Sequence, residues 1–266
     1  MPICYLALGG NVGDVFETMQ RGLTLLDRAP FVCVGDVSPA YETAPVGAAA
    51  GAPYQNAAAK LECECAPLVL LDELQSIEEQ LGRTREGRWS PRPLDLDLLL
   101  FGEMVFAEPI LTVPHPHLWY RRFVLDPLSD IAAEVVHPLL GVTIRDLRAR
   151  LLQRPLRVQL AGGDARRRSA LAEHLHRRFP DVPVTSESAE AHGTSAATIT
   201  LDLAEGPGGS TRRRREFTVR DLVESARGRV VHLADLPGTM FEAAESVLMA
   251  AWDQPVRHKR PLRRMP

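Results

Sequence analysis

The sequence predicts an α+β sandwich over residues 1–155, a small parallel α/β unit over 156–254 and a basic tail over 255–266. Three observations lead there. Across the first 155 residues, strand and helix patterns come in mixed order, not in strict βαβ alternation. Beyond Arg157 they alternate, which is the pattern of a parallel sheet. The charge also changes sign near that point: residues 1–156 carry 13 Lys+Arg against 20 Asp+Glu, and residues 157–266 carry 18 against 14. A net charge of −3 hides this division. At 266 residues the chain also exceeds the roughly 100–200 of one compact domain.

In the first part, Ile3–Leu8 is a short apolar run that stops at Gly9-Gly10-Asn11, a buried strand feeding a tight turn. Asp14 then caps a helix whose apolar stripe is Phe16, Met19, Leu23 and Leu26. Residues 31–42 read as extended and 48–53 as a flexible loop. Tyr54–Cys65 alternates as a strand does. Pro67 opens a helix with Leu70, Leu71, Leu74, Ile77 and Leu81 on one face, ended by Gly82. A polar loop with four arginines leads to the strand Leu94–Phe101. Residues 107–120, rich in proline and histidine, read as a second loop, and short helices follow at 121–133 and 143–152.

In the second part, Arg157–Ala161 is a strand, Gly162-Gly163 a turn and Ala165–Phe179 a helix. A strand at Ala197–Leu203, a Gly-rich basic loop, a helix at 219–227, a strand at Val230–Leu233 and a helix at 239–252 complete the pattern. The basic tail RHKRPLRRMP is expected to be mobile.

Composition limits the function classes. With 45% hydrophobic and 24% charged residues, the chain can build a core and is not broadly disordered. No apolar run approaches the roughly 18 residues of a membrane span, and the start lacks a secretory pattern. Cys4, Cys33, Cys63 and Cys65 lack metal-type spacing and read as reduced thiols of a cytoplasmic protein. Arg212–Arg215 and the tail have no interleaved aromatics, so a nucleic-acid partner is not expected.

The chemistry concentrates in Leu94-Asp95-Leu96-Asp97-Leu98. Side chains alternate along a strand, so Asp95 and Asp97 share one face, about 7 Å apart at Cα. Hard divalent cations take such oxygen ligands, and Mg²⁺ commonly combines one or two carboxylates with substrate phosphates. An exposed edge strand could carry the same pair and bind nothing. Arg83, Arg85, Arg88 and Arg92 stand just before it, in a loop that also holds Trp89. Arginines neutralise phosphate oxygens through charged, often bidentate hydrogen bonds. The combination points to phosphoryl or pyrophosphoryl transfer; no nucleophile elbow or HExxH pattern is present.

The run Arg88-Trp89-Ser90-Pro91-Arg92-Pro93-Leu94-Asp95-Leu96-Asp97 closely resembles the signature of the 6-hydroxymethyl-7,8-dihydropterin pyrophosphokinase family. Further blocks, in family order, resemble its other segments: Ala7–Asp14, Tyr41–Gly47, Tyr54–Ala58, Thr112–His117 and Arg121–Leu128. The resemblance covers roughly residues 1–155. It implies a ferredoxin-like α+β core and transfer of the β,γ-pyrophosphate of ATP to the hydroxymethyl oxygen of the pterin, with AMP released. Asp95 and Asp97 would bind two Mg²⁺ ions. Arg83, Arg92 and Arg121 would neutralise phosphates, and Arg85 and Trp89 would sit on a catalytic loop. Gln75, Glu78, Thr112, His115 and Leu98 would line the nucleotide site. Tyr54 and Phe123 would sandwich the pterin ring, while Asn56, Gly9 and the Thr43–Val46 segment, including Pro45 and Val46, would meet its polar edge.

General chemistry agrees with several of these roles. Flat heteroaromatic rings bind well between aromatic faces, and an amide can donate and accept at once. Gln75 and Glu78, three apart, are expected together on the helix face opposite the leucine stripe. Tyr54 and Phe123 could equally be core aromatics, and Glu78 a solvated charge. Ala44 stands where the family often has proline, and Ile110 where some members carry a phosphate-binding arginine. A regulatory protein without catalysis and a Mg²⁺-dependent phosphodiesterase or nuclease are the alternatives.

Residues 157–266 lie outside that resemblance. Leu156–Leu175 has the strand, glycine turn and helix of a phosphate-binding loop, with Arg167, Arg168 and Ser169 at the final three positions. The unit thus resembles a degenerate P-loop nucleoside kinase, expected to serve structure or oligomerisation.

Overall fold

The computed structural model describes residues 1–44, 52–83, 92–186, 198–204 and 229–262. Its first elements follow in the order β1 (Ile3–Gly10), α1 (Val15–Arg28), β2 (Val32–Val37), β3 (Tyr41–Thr43), β4 (Tyr54–Cys63), α2 (Pro67–Gln80) and β5 (Asp95–Phe101). β1 lies centrally in an antiparallel sheet, between β4 and β5. β2 and β3 both pair with β4.

Alternation along β1 sends its side chains into two different cores. Cys4, Leu6 and Leu8 face α1 and α2; Tyr5 and Ala7 face the opposite side. The Asp14 carboxylate caps α1 by accepting the Glu17 N–H at 3.0 Å, and Phe16, Met19, Leu23 and Leu26 are buried as their spacing predicts. α2 ends where glycine allows it to. Gly82 has φ +93°, its N–H donates to the Glu79 carbonyl, and the Arg83 N–H donates to the Glu78 carbonyl at 3.0 Å.

The region after β5 differs from the expected loop. β6 (Phe106–Glu108) and β7 (Leu111–Val113) form a small antiparallel hairpin, and a single 3₁₀ turn spans Leu118–Tyr120. Three-residue strands carry too little alternation to stand out in sequence. α3 (Arg122–Ala132) and α4 (Ile144–Leu152) then cover the second face of the sheet. They are joined through Asp126, 3% exposed, which accepts from Arg122 at 2.5 Å and from Arg148 at 2.7 Å.

The remaining elements are β8 (Val158–Ala161), α5 (Ala165–Arg178), β9 (Val184–Ser186), β10 (Ile199–Asp202), β11 (Val230–His232), α6 (Met240–Trp252) and β12 (Val256–Arg257). The first four of these strands form a separate, fully parallel sheet in the order β11-β10-β8-β9. β9 is an addition to the sequence reading, while the expected helix at 219–227 and Arg212–Arg215 lie outside the described residues. The glycine turn before α5 is filled from within. Asp164 caps the helix by accepting the Arg167 N–H at 2.8 Å, and Arg168 donates to the carbonyls of Gly162 and Gly163 at 2.9 and 2.7 Å.

One continuous apolar cluster runs from Tyr5 and Trp119 through Leu125 and Leu156 to Leu160 and Val247. The parallel sheet and α6 therefore pack on the face of the first sheet that α3 and α4 cover. No helix among the described residues is long and apolar enough to cross a membrane.

The tail is not free at its start, contrary to expectation. β12 pairs antiparallel with β3, Val256 opposite Glu42 and Arg257 opposite Tyr41. Arg260 lies 4.1 Å from the centre of the Phe16 ring, and Leu262 is buried in the α1–α2 core. Basic composition conceals these contacts because an arginine can pack its stem and plane on an aromatic while keeping its charge hydrated. Leu262→Ala is expected to cost about 2–5 kcal/mol in chemical denaturation. A solvated tail would give no measurable change.

Candidate active site

β5 supplies the carboxylates as the pattern predicts. Asp95 and Asp97 are half-buried on one face of the strand, and Leu96 and Leu98 are buried on the other. Asp95 sits between two guanidinium groups. Arg83 Nη1 lies 2.7 Å from its Oδ1, and Arg92 Nη1 lies 2.8 Å from its Oδ2. Although 29% of the Asp95 side chain still reaches solvent, burial raises its pKa. Asp97 adds to that rise, and Arg92 and Arg83 oppose it.

Arg83 is delivered by the end of α2. Because the turn at Gly82 brings its backbone over the last helical turn, its side chain reaches both Glu78 and Asp95. Glu78 is not on a solvated face opposite the leucines. It is 5% exposed, on the buried side with Leu74 and Ile77, and its Oε1 accepts the Leu96 N–H at 2.7 Å. Hydrophobic spacing alone gave no sign that an ion pair would bring a carboxylate into that stripe. Burial pushes the Glu78 carboxyl up to about 7, assisted by Asp95 and opposed by the Leu96 N–H and by Arg83.

Arg92 is held by a residue that the sequence reading placed only in a turn. The Asn11 side-chain oxygen accepts the Arg92 N–H at 3.0 Å, and the Asn11 N–H donates to the Arg92 carbonyl at 3.0 Å. The approach needs Gly10, where a Cβ would stand 2.6 Å from the Pro93 carbonyl oxygen. The only available signal was the Gly-Gly-Asn sequence at the end of a buried strand.

The residues expected at a pterin assemble on β1, β3, β4 and α3. Tyr54 begins β4 opposite Thr43, and Asn56 lies opposite both Gly9 and Tyr41. Asn56 is 8% exposed, and its side-chain N–H donates to Thr43 Oγ1 at 2.8 Å. Burial raises the Tyr54 phenol pKa. Phe123 stands at the start of α3, with the Arg121 guanidinium 5.6 Å from its ring centre.

His115 lies beneath this group, its N–H donating to the Leu99 carbonyl at 2.9 Å. Burial, followed by the charge of Arg121, lowers its pKa to about 3, so the imidazole is neutral. Its Nδ1 accepts the His117 N–H at 3.2 Å, which assigns the proton to Nε2.

These groups share one cavity of about 570 Å³. Gly9, Thr43, Tyr54, Asn56 and Phe123 line it, as do Arg92, Asp95, Asp97, His115 and Arg121. Arg83 and Glu78 stand behind Asp95, outside the wall. Gln75, Leu98 and Thr112 do not line the cavity either; the Leu98 side chain belongs to the core on the far face of β5. Pro45, Val46, Arg85 and Trp89 lie outside the described residues. The cavity also receives α6, through Ala243, Ser246, Val247 and Ala250. Nothing in the sequence pattern pointed there, since a small apolar helix face reads simply as core.

With this geometry in place, similarity to known proteins becomes informative. The profile of the family described as 7,8-dihydro-6-hydroxymethylpterin-pyrophosphokinase (HPPK) matches residues 5–133. A 2-amino-4-hydroxy-6-hydroxymethyldihydropteridine pyrophosphokinase of Pseudomonas aeruginosa is 46% identical over 134 residues, 50% of this chain and 83% of that protein. The chain belongs to this family. The Bacillus subtilis protein of the same name is 44% identical over 133 residues, covering 50% of this chain and 80% of its own length. Among solved structures, Plasmodium falciparum HPPK-DHPS aligns at 13% identity and a TM-score of 0.49, over 76% of this chain and 64% of that one. The family match ends at residue 133, and the separate parallel sheet begins after it.

Glu78 makes stability depend on pH. Between about pH 4.5 and 7 the unfolded chain releases a proton that the folded chain keeps, so stability falls as pH rises through that window. The slope is on the order of 1 kcal/mol per pH unit. Urea titrations at a series of pH values should show this decline in the wild type and a flatter profile in Glu78→Gln. Equal slopes would remove Glu78 as the cause.

Proposed function

We propose that this family member transfers the β,γ-pyrophosphate of ATP to the hydroxymethyl oxygen of 6-hydroxymethyl-7,8-dihydropterin and releases AMP, a step of folate biosynthesis. The observation that carries this reading is one cavity holding two sets of groups. Tyr54, Asn56 and Phe123 suit a flat, hydrogen-bonding heterocycle, while Arg92, Asp95 and Asp97 suit a polyphosphate with a cation. A nuclease would need the second set and not the first.

Asp95 and Asp97 offer hard oxygen donors on one strand face. Among the described residues no cluster of three or more His, Cys, Asp or Glu side chains is placed to hold a metal ion. Two carboxylates that leave the other positions to phosphate oxygens and water fit Mg²⁺, and two ions are proposed here. Magnesium, when bound, supplies neutralisation of the oxygens at which charge develops. Arg92 lines the cavity beside Asp95, where its guanidinium can meet phosphate oxygens, while Arg83 holds Asp95 from outside the lining. Neutral His115 can donate from Nε2 to an anionic oxygen. Tyr54 and Phe123 hold the ring and Asn56 orients it, which fixes the acceptor oxygen for in-line attack.

Roles for Gln75, Glu78, Leu98 and Thr112 at the nucleotide, and for Pro45, Val46, Arg85 and Trp89 at the loops, form part of the same proposal. So do a ferredoxin-like core, supported by the placement of β1 between β4 and β5, and a cytoplasmic location. The proposed division is a catalytic unit over 1–155, a P-loop-like structural unit over 156–254 and a tail over 255–266.

The test is a product assay with ATP, Mg²⁺ and the hydroxymethyl-dihydropterin. AMP formed only in the presence of the pterin is the expected result, and ADP, strand cleavage of nucleic acid or no turnover would contradict it. Asp97→Ala should lower kcat by about 100-fold or more, on the scale of losing a transition-state charge contact. Full activity in that variant would remove the cation assignment.

A further inference from the structure

The cavity that carries the proposed reaction does not end with residues 1–155. Its lining holds the five described residues assigned to the pterin, Gly9, Thr43, Tyr54, Asn56 and Phe123. The same lining includes α6 and the turn Asp235–Pro237. Gln75, Leu98 and Thr112, assigned to the nucleotide, are absent from the lining. Arg92, His115 and Arg121, assigned to the nucleotide and its phosphates, do line it, and α6 reaches the cavity by packing against α3, the helix that carries Phe123. Along α6, the lining positions Ala243, Ser246, Val247 and Ala250 recur at helical spacing and share one face. That stripe alone would indicate only packing; the aromatic and amide groups in the same lining point to a ligand.

α6 is fixed in this place at both the α3 and β3 sides. Arg122 Nη1 donates to the Asp253 carbonyl at 2.6 Å, and the Arg154 guanidinium stacks 4.4 Å from the centre of the Trp252 ring. Beyond α6, β12 pairs with β3, and the His258 N–H donates to the Ala40 carbonyl at 2.7 Å. α3 carries Phe123, and β3 carries Thr43, the partner of Asn56. The elements that hold α6 are thus the ones that present the pterin groups.

We propose that α6 and the Asp235–Pro237 turn form a wall of the pterin pocket, so that the appended unit determines which acceptor fits. The wall limits the size of the heterocycle and its substituents and keeps water from the acceptor side. This rests on the pterin reading above. It gives residues 229–262 a role in substrate selection that the 5–133 family match does not contain.

The test uses the full chain and a half-buried wall position, Ser246. Ser246→Trp places an indole in the cavity. It should raise both the KM and the calorimetric Kd for the hydroxymethyl-dihydropterin about tenfold, the usual scale of overpacking, with the KM for ATP and the Tm unchanged. Met249→Trp, on the same helix but off the cavity lining, should leave all four values as in the wild type. Unchanged pterin affinity in Ser246→Trp overturns the proposal, as does an equal loss in Met249→Trp. A wild-type chain that binds the pterin but releases no AMP contradicts the transfer reaction alone. Failure of the wild type to bind the pterin contradicts both.

Discussion

Asp95 between Arg83 and Arg92 is the interaction around which the site is built. A half-buried carboxylate beside Asp97 is costly unless cations stand close to it. Both arginines are placed by backbone, not by chance contact. The Gly82 turn at the end of α2 returns Arg83 to Glu78 and Asp95, and Asn11 grips Arg92 by both its N–H and its carbonyl. Glu78 closes the arrangement by tying Arg83 to the β5 backbone at Leu96. Three stretches of the chain, around Asn11, Glu78–Arg83 and Arg92–Leu96, are thereby tied together about one carboxyl group. The cationic surroundings that hold Asp95 are also those that a polyphosphate requires.

The sheet divides the labour between its two faces. Toward α1 and α2 it is sealed by leucines, which makes β1, β4 and β5 a firm base for the half-buried carboxylates. Toward α3 it carries Tyr5, Ala7 and Ala58 in a cluster that continues into the parallel sheet and α6. The cavity therefore draws its lining from two parts of the chain, and β12 returns the C-terminal segment to the edge of the first sheet.

Much of the local structure was legible because each signal was local. The Asp95/Asp97 alternation, the Asp14 cap, the Pro67 start and the Gly82 stop need only near neighbours in sequence, and all take the expected form. The site signature was legible for a different reason, since several blocks matched one family in order. What escaped depends on distant partners. Glu78 is polar in a stripe that spacing treats as solvated, and only Arg83 and the Leu96 N–H make its burial tolerable. Asn11 acts on Arg92, 81 residues away. β12 is two residues long within a basic stretch, and pairing with β3 decides its conformation. The alanines of α6 carry no chemistry of their own and acquire meaning only from the wall that they face.

The proposed reaction requires a cation–polyphosphate complex to bind at the arginine-flanked carboxylate of Asp95. Calorimetric titration of a non-hydrolysable ATP analogue, with and without Mg²⁺, tests it directly in the wild type and in Asp95→Asn. The account predicts Mg²⁺-dependent binding in the wild type and a loss of about tenfold or more in the variant, the scale of one charged contact. The same affinity and the same Mg²⁺ dependence in both proteins would contradict it.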